Sequence, residues 1–136
     1  MTASLQLFVH IVEKNVREQG RERSTLRCSF APFCHAHLRR YFHDALKTAP
    51  VAQEAIDLIL ELYCVEYEAQ ERGFAKQPAH LVLRKAKSAP IRAKLKTWLD
   101  EQQPKHRPKS PIGVAIRYAL NHWDDFGRFL DDARIN

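Results

Sequence analysis

The pattern that most constrains this chain lies between residues 51 and 69. Val51, Ala55, Leu58, Leu62, Val65 and Ala69 alternate by four and three residues, and Ile59 and Tyr63 widen the row on one side. This spacing stays close to the pitch of a helix, so it draws an apolar stripe along one long helix. A helix with such a stripe must bury it against other elements. Gly73 follows where a helix commonly ends in a left-handed residue.

The neighbouring segments supply helical partners. A second helix is expected to begin near Pro32, run through Leu38, Phe42, Ala45 and Leu46, and stop near Thr48, ahead of Pro50. Another stretch runs from about Pro78 to Gln103 and buries Ile91, Leu95, Trp98 and Leu99. Pro90 interrupts it, so either Ser88 caps a fresh start or the helix continues with a kink. Residues 104–111 read Pro-Lys-His-Arg-Pro-Lys-Ser-Pro, a basic linker expected to be non-helical. Ser110 then caps a helix with Pro111 in its first position, and Ile112, Ile116, Ala119, Leu120 and Trp123 share one face. Phe126, Phe129 and Leu130 suggest a last short turn. At the start of the chain, Leu5–Val16 fits either a helix or a short strand, and Gly20 to Thr25 reads as a loop. The expected fold is all-α, a bundle of about five to six helices, with residues 1–30 as a separate N-terminal segment.

Composition agrees with a globular helical domain. Hydrophobic residues make up 45% of the 136 and charged residues 28%, too apolar a mixture for a disordered chain. No apolar run approaches the roughly 20 residues that span a bilayer, and no basic segment leads into an apolar one at the N-terminus, so no membrane partner or secretory signal is expected. Three cysteines cannot all pair, which points to a reducing cytoplasm.

The net charge of +6 is concentrated. Between Arg84 and Lys109 stand nine cations (Arg84, Lys85, Lys87, Arg92, Lys94, Lys96, Lys105, Arg107 and Lys109) against Asp100 and Glu101, a local +7 that leaves −1 for the rest. Upstream, Pro50 to Arg72 holds six acids against Arg72 alone, a local −5. Two readings follow. The basic stripe, with Arg39 and Arg40, contacts nucleic acid in a salt-dependent way. Alternatively, the acidic helix lies antiparallel to the basic one and the two compensate each other.

Classical catalytic patterns are weak. Cys28, Cys34, His35, His37 and His43 cluster in sequence, but five residues separate the two cysteines and no second close pair completes a zinc set. Cys64, on the apolar side of its helix, reads as a small buried hydrophobe. The pairs Asp124–Asp125 and Asp131–Asp132 share a helical face only if the helix between them is continuous. The glycines (Gly20, Gly73, Gly113 and Gly127) are isolated, so no phosphate loop exists. Trp98 and Trp123 fall on apolar faces and are expected in the core. No catalytic residue, metal ligand or cofactor is assigned.

Five segments in order carry a resemblance. Cys34-His35-Ala36-His37-Leu38-Arg39-Arg40-Tyr41-Phe42 resembles the Cys-Trp-Ala-His-x-Arg-Arg-x-Phe segment of insertion sequence 66 family transposases. Leu62-Tyr63-Cys64-Val65-Glu66 is similar to that family's Leu-Tyr-x-Ile/Val-Glu helix, and Pro90 to Leu99 to its Pro-Leu-Leu … Trp-Leu helix. Pro108-Lys109-Ser110-Pro111-Ile112-Gly113 and Ile116-Arg117-Tyr118-Ala119-Leu120-Asn121-His122-Trp123 resemble its Lys-Ser-x-x-Gly … Tyr-Ala-Leu-Asn-x-Trp stretch, and Phe129-Leu130-Asp131-Asp132 the positions after it. The likeness covers residues 31–135, and Cys34, His37, Arg39 and Arg40 are its motif residues.

The resemblance implies a DNA-cutting enzyme whose two aspartates and one glutamate hold two metal ions. Both aspartates precede the Cys-x-Ala-His motif in the family, whereas the first aspartate here is Asp44, beyond it. The glutamate belongs to an Asp-Asn-x-x-x-Glu-Arg segment that would follow Asp132, and this chain reaches only Asn136. His35 also stands where the family has Trp. The expectation is therefore a truncated, catalytically incompetent transposase fragment (31–136) behind an unmatched segment (1–30). Its expected partners are DNA, a full-length transposase or a second copy of itself. The alternative is an independent basic helical module that binds nucleic acid.

Overall fold

A computed structural model describes residues 35–132 of the chain. All of them fall in the second of two units, Phe33–Asn136. The Leu5–Val16 element, the Gly20–Thr25 loop, Cys28, Cys34 and the helix start at Pro32 lie outside the described residues. Helix α1 spans His35–Ala45, α2 Ala52–Glu71 and α3 Pro78–Leu83. A π-helical turn, Arg84–Ser88, joins α3 to α4, Ala89–Gln102, which ends in a 3-10 turn, Gln103–Lys105. Helix α5, Pro111–Asn121, is followed by α6, Trp123–Gly127, and a 3-10 turn, Arg128–Leu130. The described residues contain no strand, and the fold is all-α.

The central element is α2, with α1 packed on it from one direction and α4 from another. Its buried residues include Ile56 and Leu60 besides Ala55, Ile59, Leu62, Val65 and Ala69, while Leu58 and Tyr63 are half-buried. The apolar face is thus rotated and broader than the sequence stripe. The reason is that two neighbours, rather than one, draw side chains out of water. Phe42, Ile59, Leu95, Leu99 and Ile116 fill the centre with essentially no exposure. Trp98 meets Phe42 edge-on at 5.7 Å, and its indole N–H donates to the Glu54 carboxylate at 2.6 Å. That bond satisfies the one polar atom of a ring otherwise buried in apolar surroundings. Trp123 is only partly buried against this cluster.

Helix α2 ends as its sequence predicts. Gly73 adopts φ +74, and the Phe74 N–H reaches back to the Ala69 carbonyl at 3.1 Å. Phe74 then packs with Val65, Ala69 and Leu83 in a second, smaller cluster. This closing bond with its apolar contact is the usual way of satisfying carbonyls left over at a helix end.

Of the two readings at Pro90, the structure takes the continuous one. Ser88 is helical, makes no cap bond and is fully buried. Pro90 has no N–H to offer the carbonyl of Ala86, and its ring would collide with that carbonyl in a regular α-helix. One extra residue in the preceding turn removes the conflict, and the Ala89 N–H bonds Arg84 in place of the next carbonyl along.

The linker after α4 is not wholly irregular, since Gln103–Lys105 forms a 3-10 turn. The start of α5 follows expectation: Pro111 occupies its first turn, and the Ser110 Oγ accepts from the Gly113 N–H at 3.2 Å. Gly113 also explains its own place in the motif. A Cβ there would lie 2.0 Å from the Arg107 carbonyl oxygen. The bare Cα lets the basic loop fold back over the first turn of α5.

The last segment is held from inside the molecule by Arg84, which has no exposed surface. Its Nε and Nη2 donate to the two Glu66 carboxylate oxygens at 2.8 and 2.7 Å. Its Nη1 donates to the carbonyls of Phe129 at 2.7 Å and Asp132 at 3.1 Å, and the guanidinium lies 5.2 Å from the Phe129 ring centre. His80 joins the node: its Nδ1 accepts from the Lys76 N–H at 3.0 Å, which leaves the proton of the neutral ring on Nε2, 2.9 Å from Glu66. Arg84 thereby ties α2, the α3–α4 junction and the segment after α6 together.

Two stability predictions follow. Replacing Arg84 with Met leaves Glu66 partly buried and two carbonyls without their donor. Chemical denaturation is expected to report a loss of about 3–5 kcal/mol. Gly113→Ala forces the loop away from α5. A loss of about 1–3 kcal/mol is expected, seen as a fall in melting temperature on the order of 10 °C.

Candidate functional site

Of the cations in the basic stripe, several are drawn inward or neutralised. Arg84 is consumed by the node described above and offers nothing to a partner. Lys87 pairs with Glu68 of α2 at 2.6 Å, and Lys96 with Asp100 one turn along α4 at 2.7 Å. Arg92 is half-buried: its guanidinium lies 4.2 Å from the centre of the Trp123 ring and donates to the Trp123 carbonyl. A Cβ at Gly127 would come within 2.8 Å of that guanidinium, so the glycine makes room for it. Burial pushes the Arg92 pKa below its usual value, against the opposing pull of Asp124. Lys94 stands in a groove of about 500 Å³ between α2 and α4, lined also by Glu54, Asp57, Glu61, Glu101 and Trp98. The acids of α2 therefore compensate Arg84 and Lys87 and share a groove with Lys94, whereas Lys96 is answered within α4 by Asp100.

The remaining cations are exposed. Lys85 lies on the π turn, and Lys105, Arg107 and Lys109 lie in the loop before α5. None of these four makes an ion pair among the described residues. The Ser110 cap and the close approach at Gly113 hold that loop against α5. On α1, Arg40 is exposed and Arg39 half-buried. Helices α1 and α5 pack against each other, and Tyr41 stacks on Tyr118 with ring centres 4.5 Å apart. The two resemblance segments, 34–42 and 116–123, thus meet in space. The contact between them was not legible in either segment alone.

Among the described residues no group of three His, Cys, Asp or Glu side chains is placed to hold a metal ion. The two-metal site implied by the sequence resemblance has no seat among them. His37 and His43 are both exposed, and Cys28 and Cys34 lie outside the described residues. Cys64 is half-buried, and burial together with nearby Glu61 raises its thiol pKa, the opposite of what activates a nucleophilic cysteine. The acidic pairs do not share one helix, because α6 ends at Gly127 and a 3-10 turn follows. Asp125 instead pairs with Arg128 at 2.7 Å. No described helix is long and apolar enough to cross a membrane.

Comparisons with known proteins point to the same family. The model of the Transposase IS66 family matches residues 24–136, starting seven residues before the boundary expected at 31. The uncharacterized protein y4jD of Sinorhizobium fredii is 34% identical over 127 residues, covering 88% of this chain and 23% of that protein. Two more uncharacterized proteins of the same organism are similar: y4qI is 39% identical over 105 residues, covering 75% of this chain and 19% of that protein. For y4hP the identity is 32% over 117 residues, covering 76% of this chain and 21% of that protein. The chain therefore spans about a fifth of the length of these relatives. No solved structure matches it. The matched family, the ordered motif segments and the helical fold lead to one conclusion: the chain belongs to the Transposase IS66 family.

Proposed function

We propose that this chain is a non-catalytic helical part of a transposase, and that its own activity is to bind DNA. The observation that carries this reading is the separation of charge between elements. The acids of α2 pair with Arg84 and Lys87 and share a groove with Lys94, whereas Lys105, Arg107 and Lys109 stay in water on a loop fixed to α5. A fixed array of unpaired cations releases counterions from a phosphate backbone without first having to break ion pairs of its own. Catalysis is absent from the proposal because two-metal phosphoryl transfer needs convergent carboxylates. The sequence resemblance places the family's metal-binding aspartates and glutamate outside residues 31–132. Association with a full-length transposase is compatible with the same surface and would act alongside DNA binding.

The DNA contact is tested by following duplex binding against salt by fluorescence anisotropy. Changing Lys105, Arg107 and Lys109 together to Gln is expected to flatten the log–log salt slope by about 2–3. Changing Lys94 and Lys96 to Gln should alter it by less than about 1, since Lys96 pairs with Asp100 and Lys94 shares its groove with four carboxylates. Equal effects from the two sets would count against the assignment. Incubation of the purified chain with Mg²⁺ or Mn²⁺ and DNA from the ends of the element is expected to leave the strands intact. Nicking that copurifies with the chain would end the non-catalytic reading.

A further inference from the structure

The α1–α5 face carries more than charge. Its centre is the Tyr41–Tyr118 stack, with the rings 4.5 Å apart and tilted by 34°. Tyr118 is backed in turn by His122 at 4.9 Å and Phe126 at 5.9 Å, so the stack is anchored on the core. Tyr41 remains 39% exposed, one of two large hydrophobic residues so exposed among those described. Arg40 precedes it and Arg117 precedes Tyr118, and both arginines are exposed. Helix α5 has no acidic residue, and Asp44 is the only one on α1. Helix α5 also carries the basic loop at 105–109 on its first turn.

An exposed aromatic ring held by its neighbours, on helices that also expose guanidinium groups, has the chemistry of a platform for an unpaired base. The ring offers a flat π face that any base can cover, and the cations meet the phosphates on either side. A duplex hides its base faces by stacking them on each other, so such a platform distinguishes single from paired strands.

We infer that the α1–α5 face binds unpaired nucleotides of DNA, with Tyr41 as the stacking residue and Arg40 and Arg117 as phosphate contacts. The inference rests on the DNA-binding reading above and adds a second contact, specific for single strands, to the charge-driven contact of the loop.

The test compares binding of the full chain to a labelled oligothymidine single strand and to a duplex of equal length. Tyr41→Leu keeps apolar bulk but removes the π face. It is expected to weaken single-strand binding about tenfold and to change duplex binding by less than about twofold, the single-strand effect being the only one a stacking role moves. Tyr41→Phe, which keeps the ring, should bind like the parent. Arg40→Gln and Arg117→Gln should each flatten the single-strand salt slope by about 0.7. Unchanged single-strand affinity in Tyr41→Leu, or equal losses on both DNAs, overturns the platform while leaving loop-driven duplex binding in place. A parent chain that binds neither DNA overturns the DNA-binding reading itself, and this inference with it.

Discussion

A fully buried guanidinium is the constraint around which this domain is arranged. Removing a charge from water is costly unless every donor finds a partner. Arg84 finds them on two other parts of the chain: a carboxylate on α2, and two carbonyls and a ring near residue 130. These acceptors come from positions 18, 45 and 48 residues away in sequence, so the bonds form only when the whole topology is in place. Leu, Ile and Ala contacts tolerate sliding, but a five-donor fork does not. The apolar core supplies the drive to collapse, and Arg84 narrows the outcome to one arrangement of the final segment.

The same geometry decides which charges reach solvent. Because α2 lies against the α3–α4 stretch, Glu66 and Glu68 meet Arg84 and Lys87, and other acids surround Lys94. Beyond Glu101 the chain leaves α2, and Lys105, Arg107 and Lys109 make no ion pair among the described residues. Charge that is even-handed in composition thus becomes uneven on the surface, and the surplus collects beside α5.

Much of the fold could be read from the sequence because it is governed by local rules. Gly73, the Ser110–Pro111 start and the apolar positions of α4 depend on residues within one or two turns, and each is found as read except Ile91, which is only half-buried. The position of α2 in the centre was less legible, since a stripe reveals that a face is buried but not how many neighbours bury it. Composition treats every arginine alike, so the sequence alone places Arg84 in the DNA-contacting stripe. A signal did exist: His80, Arg84 and Ser88 recur every four residues just ahead of Ile91 and Leu95, so polar residues occupy what continues as a core row. The candidate surface was legible only in part. Arg40 and the 105–109 loop are visible as cations, whereas the meeting of Tyr41 with Tyr118 needs the packing of two helices far apart in the chain.

The π turn before Pro90 has a bearing on how such a sequence can vary in length. One residue more than a regular helix requires is stored there, and each helical residue turns the following face by about 100°. Shortening the 84–88 turn by one residue would bring back the proline clash and also swing Leu95, Trp98 and Leu99 off α2. Adding one would turn them away in the opposite sense. Loops elsewhere in the domain can change size and leave the helices where they are, but here the register of α4 against its partner is set by a count of residues.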